Sequence, residues 1–185
     1  MMTSDYLRAI VTEISDAFSH LHDEEIESLL TSMLSAEKVF VAGAGRSGFM
    51  GKSFAMRLMH IGVNAYVIGE TVTPTFTDKD LLIVGTGSGK TESLLQMTKK
   101  AKTIGGTVAV VTISTDSPIA GIADHVVQLS GSPKDQPKGE TQTIQPMGSL
   151  FEQSLLLVYD AIILRLMKIK GLDTHQMYGN HANLE

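Results

Sequence analysis

Two apolar runs, Val39-Phe-Val-Ala42 and Leu81-Leu-Ile-Val84, each lead directly into a glycine-rich loop that opens a segment of helical pattern. A run that is apolar at every position, without polar alternation, suits a strand buried on both faces. Strand, loop and helix repeated in this way dictate a parallel sheet covered by helices. The loops are Gly43-Ala-Gly-Arg-Ser-Gly48 and Gly85-Thr-Gly-Ser-Gly-Lys-Thr91. In an open sheet of this kind ligands bind beyond the carboxyl ends of the strands. Helix N-termini there present unpaired N–H groups and a partial positive charge, both suited to phosphate. With their hydroxyls and two cationic side chains, the loops predict one pocket for a small phosphorylated molecule. Its candidate binding residues are Arg46, Ser47, Thr86, Gly87, Ser88, Gly89, Lys90 and Thr91.

The same alternation extends through the rest of the chain. Residues 4–35 carry helical periodicity, with Leu7, Ile10, Val11, Ile14 and Phe18 on one stripe and Ile26, Leu29, Leu30 and Met33 on another. Asp23 is placed to cap the second helix. Strands are expected at 38–42, 64–68, 80–84, 107–113 and 125–129. Helices are expected at 47–61, 91–104, 118–123 and 149–170, with Gly62, Gly105 and Gly171 as stops. Residues 130–147 turn to Gly, Pro, Lys, Gln and Thr, too polar for core and too long for a turn, so they form a candidate functional loop. After Gly171 comes a polar tail. This organisation gives residues 1–36 as a helical extension packed on one α/β domain at 37–185.

Charge and composition remove several functions. The net charge is −5 and the 15 basic residues are scattered, which argues against a nucleic-acid surface. There is no cysteine, so disulfides, thiolate metal sites and a cysteine nucleophile are excluded. The start of the chain lacks the basic and apolar regions of a signal peptide, and the apolar run 155–167 is broken by Asp160 and Arg165. A cytoplasmic protein is the expectation.

Two nucleotide motifs compete for the loops. Gly43, Gly45 and Gly48 have the G-x-G-x-x-G spacing of a dinucleotide site, and Glu70 lies where a ribose-binding acid belongs. That reading leaves the second loop unexplained. Gly89-Lys-Thr91 ends as a P-loop does, but a Walker motif needs glycine where Val84 stands. No aspartate follows the next apolar strand to hold magnesium. What remains is a cradle for a single phosphate monoester.

Beyond these loops stand Arg57-Leu-Met-His-Ile-Gly62, Gln145-Pro-Met-Gly-Ser-Leu-Phe-Glu-Gln153 and His181-Ala-Asn-Leu-Glu185. With them, nearly the whole chain resembles the SIS (sugar isomerase) domain family, and within it the 6-phospho-3-hexuloisomerase group. One departure is Lys90, where many loops of the family carry Glu or Arg. The resemblance implies a flavodoxin-like three-layer fold with a five-stranded parallel sheet. It implies interconversion of D-arabino-hex-3-ulose 6-phosphate and D-fructose 6-phosphate, the isomerase step of the ribulose monophosphate pathway of formaldehyde assimilation. It further implies a homo-oligomer, dimer or tetramer, coupled to a hexulose-phosphate synthase, with neither cofactor nor metal. A non-catalytic sugar-phosphate sensor, or another isomerase such as one for arabinose 5-phosphate, stays open on the same scaffold.

Moving a ketone from C3 to C2 needs a proton taken from C2 and one returned to C3 through a cis-enediol. A partly buried carboxylate is a suitable base, with a donor to steady the enediol oxygens. Glu152 is the candidate base by resemblance, because related isomerases use a glutamate at this helix start. From the residues alone, Ser149-Leu-Phe-Glu152 reads as a capping box. Among the six histidines, His20 and His22 are expected in solvent and His125 far from the loops. His60 reads as a cationic cap at a helix end. His181 is the candidate acid, since related isomerases complete their sites with a histidine from a neighbouring subunit; His60 is its rival. No histidine shows metal-ligand spacing with carboxylates.

Overall fold

The fold is given by a computed structural model, which describes residues 1–132 and 143–184. Helices α1 (Thr3–Phe18) and α2 (Asp23–Ser35) precede strand β1 (Val39–Gly43) and helix α3 (Gly45–His60). Strands β2 (Ala65–Val67) and β3 (Leu81–Gly85), helix α4 (Glu92–Ile104) and strand β4 (Thr107–Thr112) follow. A 3-10 turn (Ala120–Ile122), strand β5 (His125–Gln128) and helices α5 (Ser149–Lys170) and α6 (Thr174–Tyr178) complete the order. The five strands are all parallel, in the order β2-β1-β3-β4-β5. This is the flavodoxin-like arrangement, whose winding direction reverses between β1 and β3. Both glycine loops leave the sheet at that reversal, and Gly43 pairs in register with Gly85.

Alternation along each strand builds two cores. Val39, Val41, Leu81, Ile83, Ala109 and Val111 face α2, α3 and α5. Phe40, Ala42, Leu82, Val84, Val108 and Val110 face α4 and the 3-10 turn through Leu94, Ala101 and Ile119. Each fully buried Val, Leu, Ile or Phe contributes about 1.5–3 kcal/mol, so layers of this size fix the strand ends firmly. Across the first face, Phe54 of α3 stacks on Tyr159 of α5, with ring centroids 4.1 Å apart and planes inclined by 4°. Helix α1 lies on α5 and buries Ala17, while Leu7 and Val11 of its expected stripe are exposed.

Four expectations are corrected. Asp23 is the first residue of α2 and His22 its N-cap; the carboxylate still favours the positive end of the helix. Ser149 is the first residue of α5 and Gly148 its N-cap, with no side-chain cap bond, so Ser149 and Glu152 do not form a capping box. Residues 118–123 form only one 3-10 turn, Ala120–Ile122. The expected polar tail contains α6, closed by a capping box in which Asp173 accepts from the Gln176 N–H and Gln176 accepts from the Asp173 N–H. Of the expected loop at 130–147, residues 133–142 lie outside the described residues.

Candidate active site

A cavity of about 380 Å³ opens where β1 and β3 end. Its wall comes from Ala44, Gly45 and Ser47 of the first loop and from Gly85, Thr86, Gly87, Ser88, Lys90 and Thr91 of the second. Leu94, Ile113, Ser132, Gly148 and Phe151 complete it. The first loop must pass close to the strand it leaves. A Cβ at Gly48 would lie 2.7 Å from the Gly43 carbonyl oxygen, so only glycine allows that approach.

The second loop is braced from within. The Thr86 hydroxyl oxygen accepts the Gly89 N–H at 3.3 Å, and the Ser88 hydroxyl oxygen accepts the Lys90 N–H at 3.3 Å. Each hydroxyl spends a lone pair on the loop and keeps its proton to donate to an anion. Thr91 is the N-cap of α4, yet its side chain makes no capping bond. Gly89 does not line the cavity; its positive φ of 61° turns the chain beneath the loop, where its carbonyl accepts the Ile119 N–H at 3.2 Å.

Beside the cavity, α3 and α5 bring together the carboxylate and the arginine. Arg46 Nη1 lies 2.9 Å from Glu152 Oε2 and donates to Ser149 Oγ at 2.9 Å. Glu152 is buried, one residue beyond Phe151 of the wall, while the Arg46 side chain is half exposed. Six of the ten candidate residues thus line the cavity, and Arg46 and Glu152 form its rim; Gly89 shapes it from behind.

His181 lies elsewhere. Its ring stacks on His60 at 5.4 Å, at the far end of α3 from Arg46, and Tyr178 stacks on it in turn at 5.9 Å. The Asn180 amide donates to the His60 carbonyl at 2.9 Å and ties the tail there. The intervening length of α3 is about 20 Å. Within one chain, therefore, neither histidine reaches Glu152. Burial, then the nearby Arg57 and His181, hold the His60 imidazole below its ordinary value of 6.5, so it is not the cationic cap the helix end invites. His20 and His22 are exposed. Both His125 nitrogens bond hydroxyls of α2, Ser28 at 2.9 Å and Ser32 at 2.8 Å. Glu70, the candidate ribose acid, instead pairs with Lys52 at 2.6 Å.

One polar group was not visible in the sequence. Glu13 of α1 accepts three hydrogen bonds from residues 143–145, just before α5. Its partners lie 130 and more residues away, and no local pattern signals such a pairing.

Residues 32–157 match the model of the SIS domain. The chain belongs to the SIS domain family. A Bacillus subtilis protein named 3-hexulose-6-phosphate isomerase is 51% identical over 185 residues, all of both chains. A Mycobacterium gastri protein of that name is 37% identical, with 97% of this chain and 89% of the relative covered. Among solved structures, a Methanococcus jannaschii protein inferred to be a 3-hexulose-6-phosphate isomerase superposes with a TM-score of 0.84 at 34% identity. The match spans 98% of this chain and 99% of that one.

Proposed function

We propose that this SIS-family enzyme interconverts D-arabino-hex-3-ulose 6-phosphate and D-fructose 6-phosphate. The observation that carries the reading is its full-length relation, at 51% identity, to a protein named for that isomerisation. The hydroxyl-lined cavity at the sheet reversal supports it, being a cradle for one phosphate. In the proposal Ser47, Thr86, Ser88 and Thr91, with the amide of Gly87 and the charge of Lys90, hold that phosphate, while Gly89 shapes the loop behind it. Glu152 takes the C2 proton and delivers one to C3. Meanwhile a proton moves from the C2 hydroxyl to the C3 oxygen, so the ketone migrates and atoms balance. Arg46, beside Glu152, supplies positive charge where the enediolate oxygens develop theirs. His181 from a second copy of the chain serves as the acid.

The enzyme works as a homo-oligomer, alongside the synthase that makes its hexulose phosphate from formaldehyde. Among the described residues no helix is long and apolar enough to cross a membrane, which fits a cytoplasmic setting.

Glu152→Gln tests the base directly. It preserves shape but cannot accept a proton, so kcat should fall at least about a hundredfold with little change in fructose 6-phosphate affinity. In D₂O the native enzyme should place deuterium at a reacting carbon. Near-native turnover in the variant, or product free of deuterium, would overturn the mechanism.

A further inference from the structure

Glu13 sits on α1, an element that contributes nothing to the cavity wall, and its carboxylate is engaged on both oxygens. Oε2 accepts the Thr143 hydroxyl at 2.6 Å and the Gln145 side-chain amide at 2.9 Å, and Oε1 accepts the Ile144 N–H at 2.7 Å. The Thr143 oxygen in turn accepts the Gln145 N–H at 3.0 Å. Thr143 and Gln145 are buried. All three groups facing Glu13 act as donors, and only a carboxylate can accept from all of them. Burial pushes this carboxyl up, but the bonds from Thr143, Gln145 and Ile144 outweigh it and hold it below its ordinary value.

Two residues past this clamp the backbone is strained. Met147 has φ of 56°, alone among the described non-glycine residues in taking a positive value, and its side chain is exposed. That conformation costs a non-glycine residue roughly 1–3 kcal/mol and persists only where its surroundings enforce it. With an exposed side chain, Met147 cannot supply the enforcement itself. The chain is instead held from both sides: by Glu13 at 143–145, and by Arg46 at Ser149 and Glu152. Between these anchors the Ser149 N–H bonds the Pro146 carbonyl at 3.2 Å, and the Glu152 N–H bonds the Gly148 carbonyl at 3.0 Å.

We infer that Glu13 is a positioning residue, the α1 side of a brace that sets where α5 begins and so where the Glu152 carboxylate stands. The inference rests on the reading of Glu152 as the base. It makes α1 part of the catalytic architecture, although no residue of the helix lines the cavity. Catalysis is sensitive to displacements of about 1 Å at the reacting group, whereas the phosphate loops leave β1 and β3, to which α1 contributes no residue.

The test is Glu13→Ala beside Thr143→Val, each assayed for kcat and KM, for fructose 6-phosphate affinity by calorimetry, and for thermal midpoint. Thr143→Val keeps the shape and removes one arm of the clamp, and it decides the matter should Glu13→Ala not fold. A brace predicts that kcat falls about ten- to a hundredfold while KM and sugar-phosphate affinity stay within about threefold. Glu13→Gln, which keeps one acceptor, should fall between Glu13→Ala and the native enzyme. Equal losses in kcat and affinity would show that the whole cavity depends on α1 and would overturn the assignment, as would native kcat in the folded variants. Glu152→Gln is assayed in parallel. If it stays active, the reading of the base has failed; if it is dead while Glu13→Ala is fully active, the brace alone has failed.

Discussion

His60 shows how packing overrides the local logic of a residue. In the last turn of α3 a positive charge would complement the helix dipole. Burial against the core and the Arg57 guanidinium, whose Nη1 lies 3.4 Å from Nδ1, oppose that charge. The consequence is a pH dependence of stability. Because the folded value is lowered below 6.5, the unfolded chain binds the proton more tightly, so stability falls as pH drops below about 6.5. It falls until the pH passes below the folded value, beyond which this residue adds nothing further. His60→Gln cannot titrate, and urea midpoints measured between pH 7.5 and 5 should show a shallower slope than the native protein. An identical slope in the two proteins would place the acid sensitivity elsewhere. The sequence offers the histidine and the helix end; the stacked His181 comes from a tail contact 121 residues distant.

Elements were legible where their signals are local. Apolar runs bounded by glycine located all five strands to within one or two residues, and the α/β order followed from alternation. The start of α5 at Ser149 is as expected but its cap is not, because two forces act there that a capping pattern ignores: the positive φ of Met147 and the claim of Arg46 on the Ser149 hydroxyl. The α6 capping box is present in the sequence as Asp173 and Gln176, but no apolar run beside it signals a helix. The second glycine loop carries a prediction of its own. A Cβ on Gly89 would fall 1.9 Å from the Ser117 hydroxyl oxygen, in a backbone conformation with φ of 61°. Gly89→Ala should therefore distort the loop that Thr86 and Ser88 brace and weaken fructose 6-phosphate binding by at least about tenfold, the loss of one charge-assisted bond. Gly121→Ala, whose Cβ meets nothing within 4 Å, should bind normally. Calorimetric titration of both variants checks this, and normal affinity in Gly89→Ala would remove the loop from the phosphate site.

At the scale of the whole molecule, the two catalytic candidates stand at opposite ends of α3, about 20 Å apart along the helix. One chain cannot bring them together without unwinding an element packed into the core. A second copy can. The exposed face of α3 carries Phe49 near the cavity and Met56 and Met59 near His60, and α5 and α1 add Leu157, Leu164, Tyr6, Leu7 and Val11. Apolar residues exposed at both ends of one helix suit an isologous contact, in which each end meets the opposite end of its twin. If that contact completes the site, Glu152 of one subunit works with His181 of the next, and two dead variants should repair each other. Glu152→Gln and His181→Ala, each inactive alone, would be co-expressed with different tags and purified through both. For random pairing into dimers, half the assemblies are mixed and each mixed dimer keeps one intact site of two, so activity returns to about a quarter of native in the unselected pool. In the doubly purified fraction it returns to about half. Light scattering must show the native enzyme larger than one chain under assay conditions. A monomer with full activity, or a mixed assembly as dead as its parents, would mean that Glu152 and His181 do not meet across a subunit boundary.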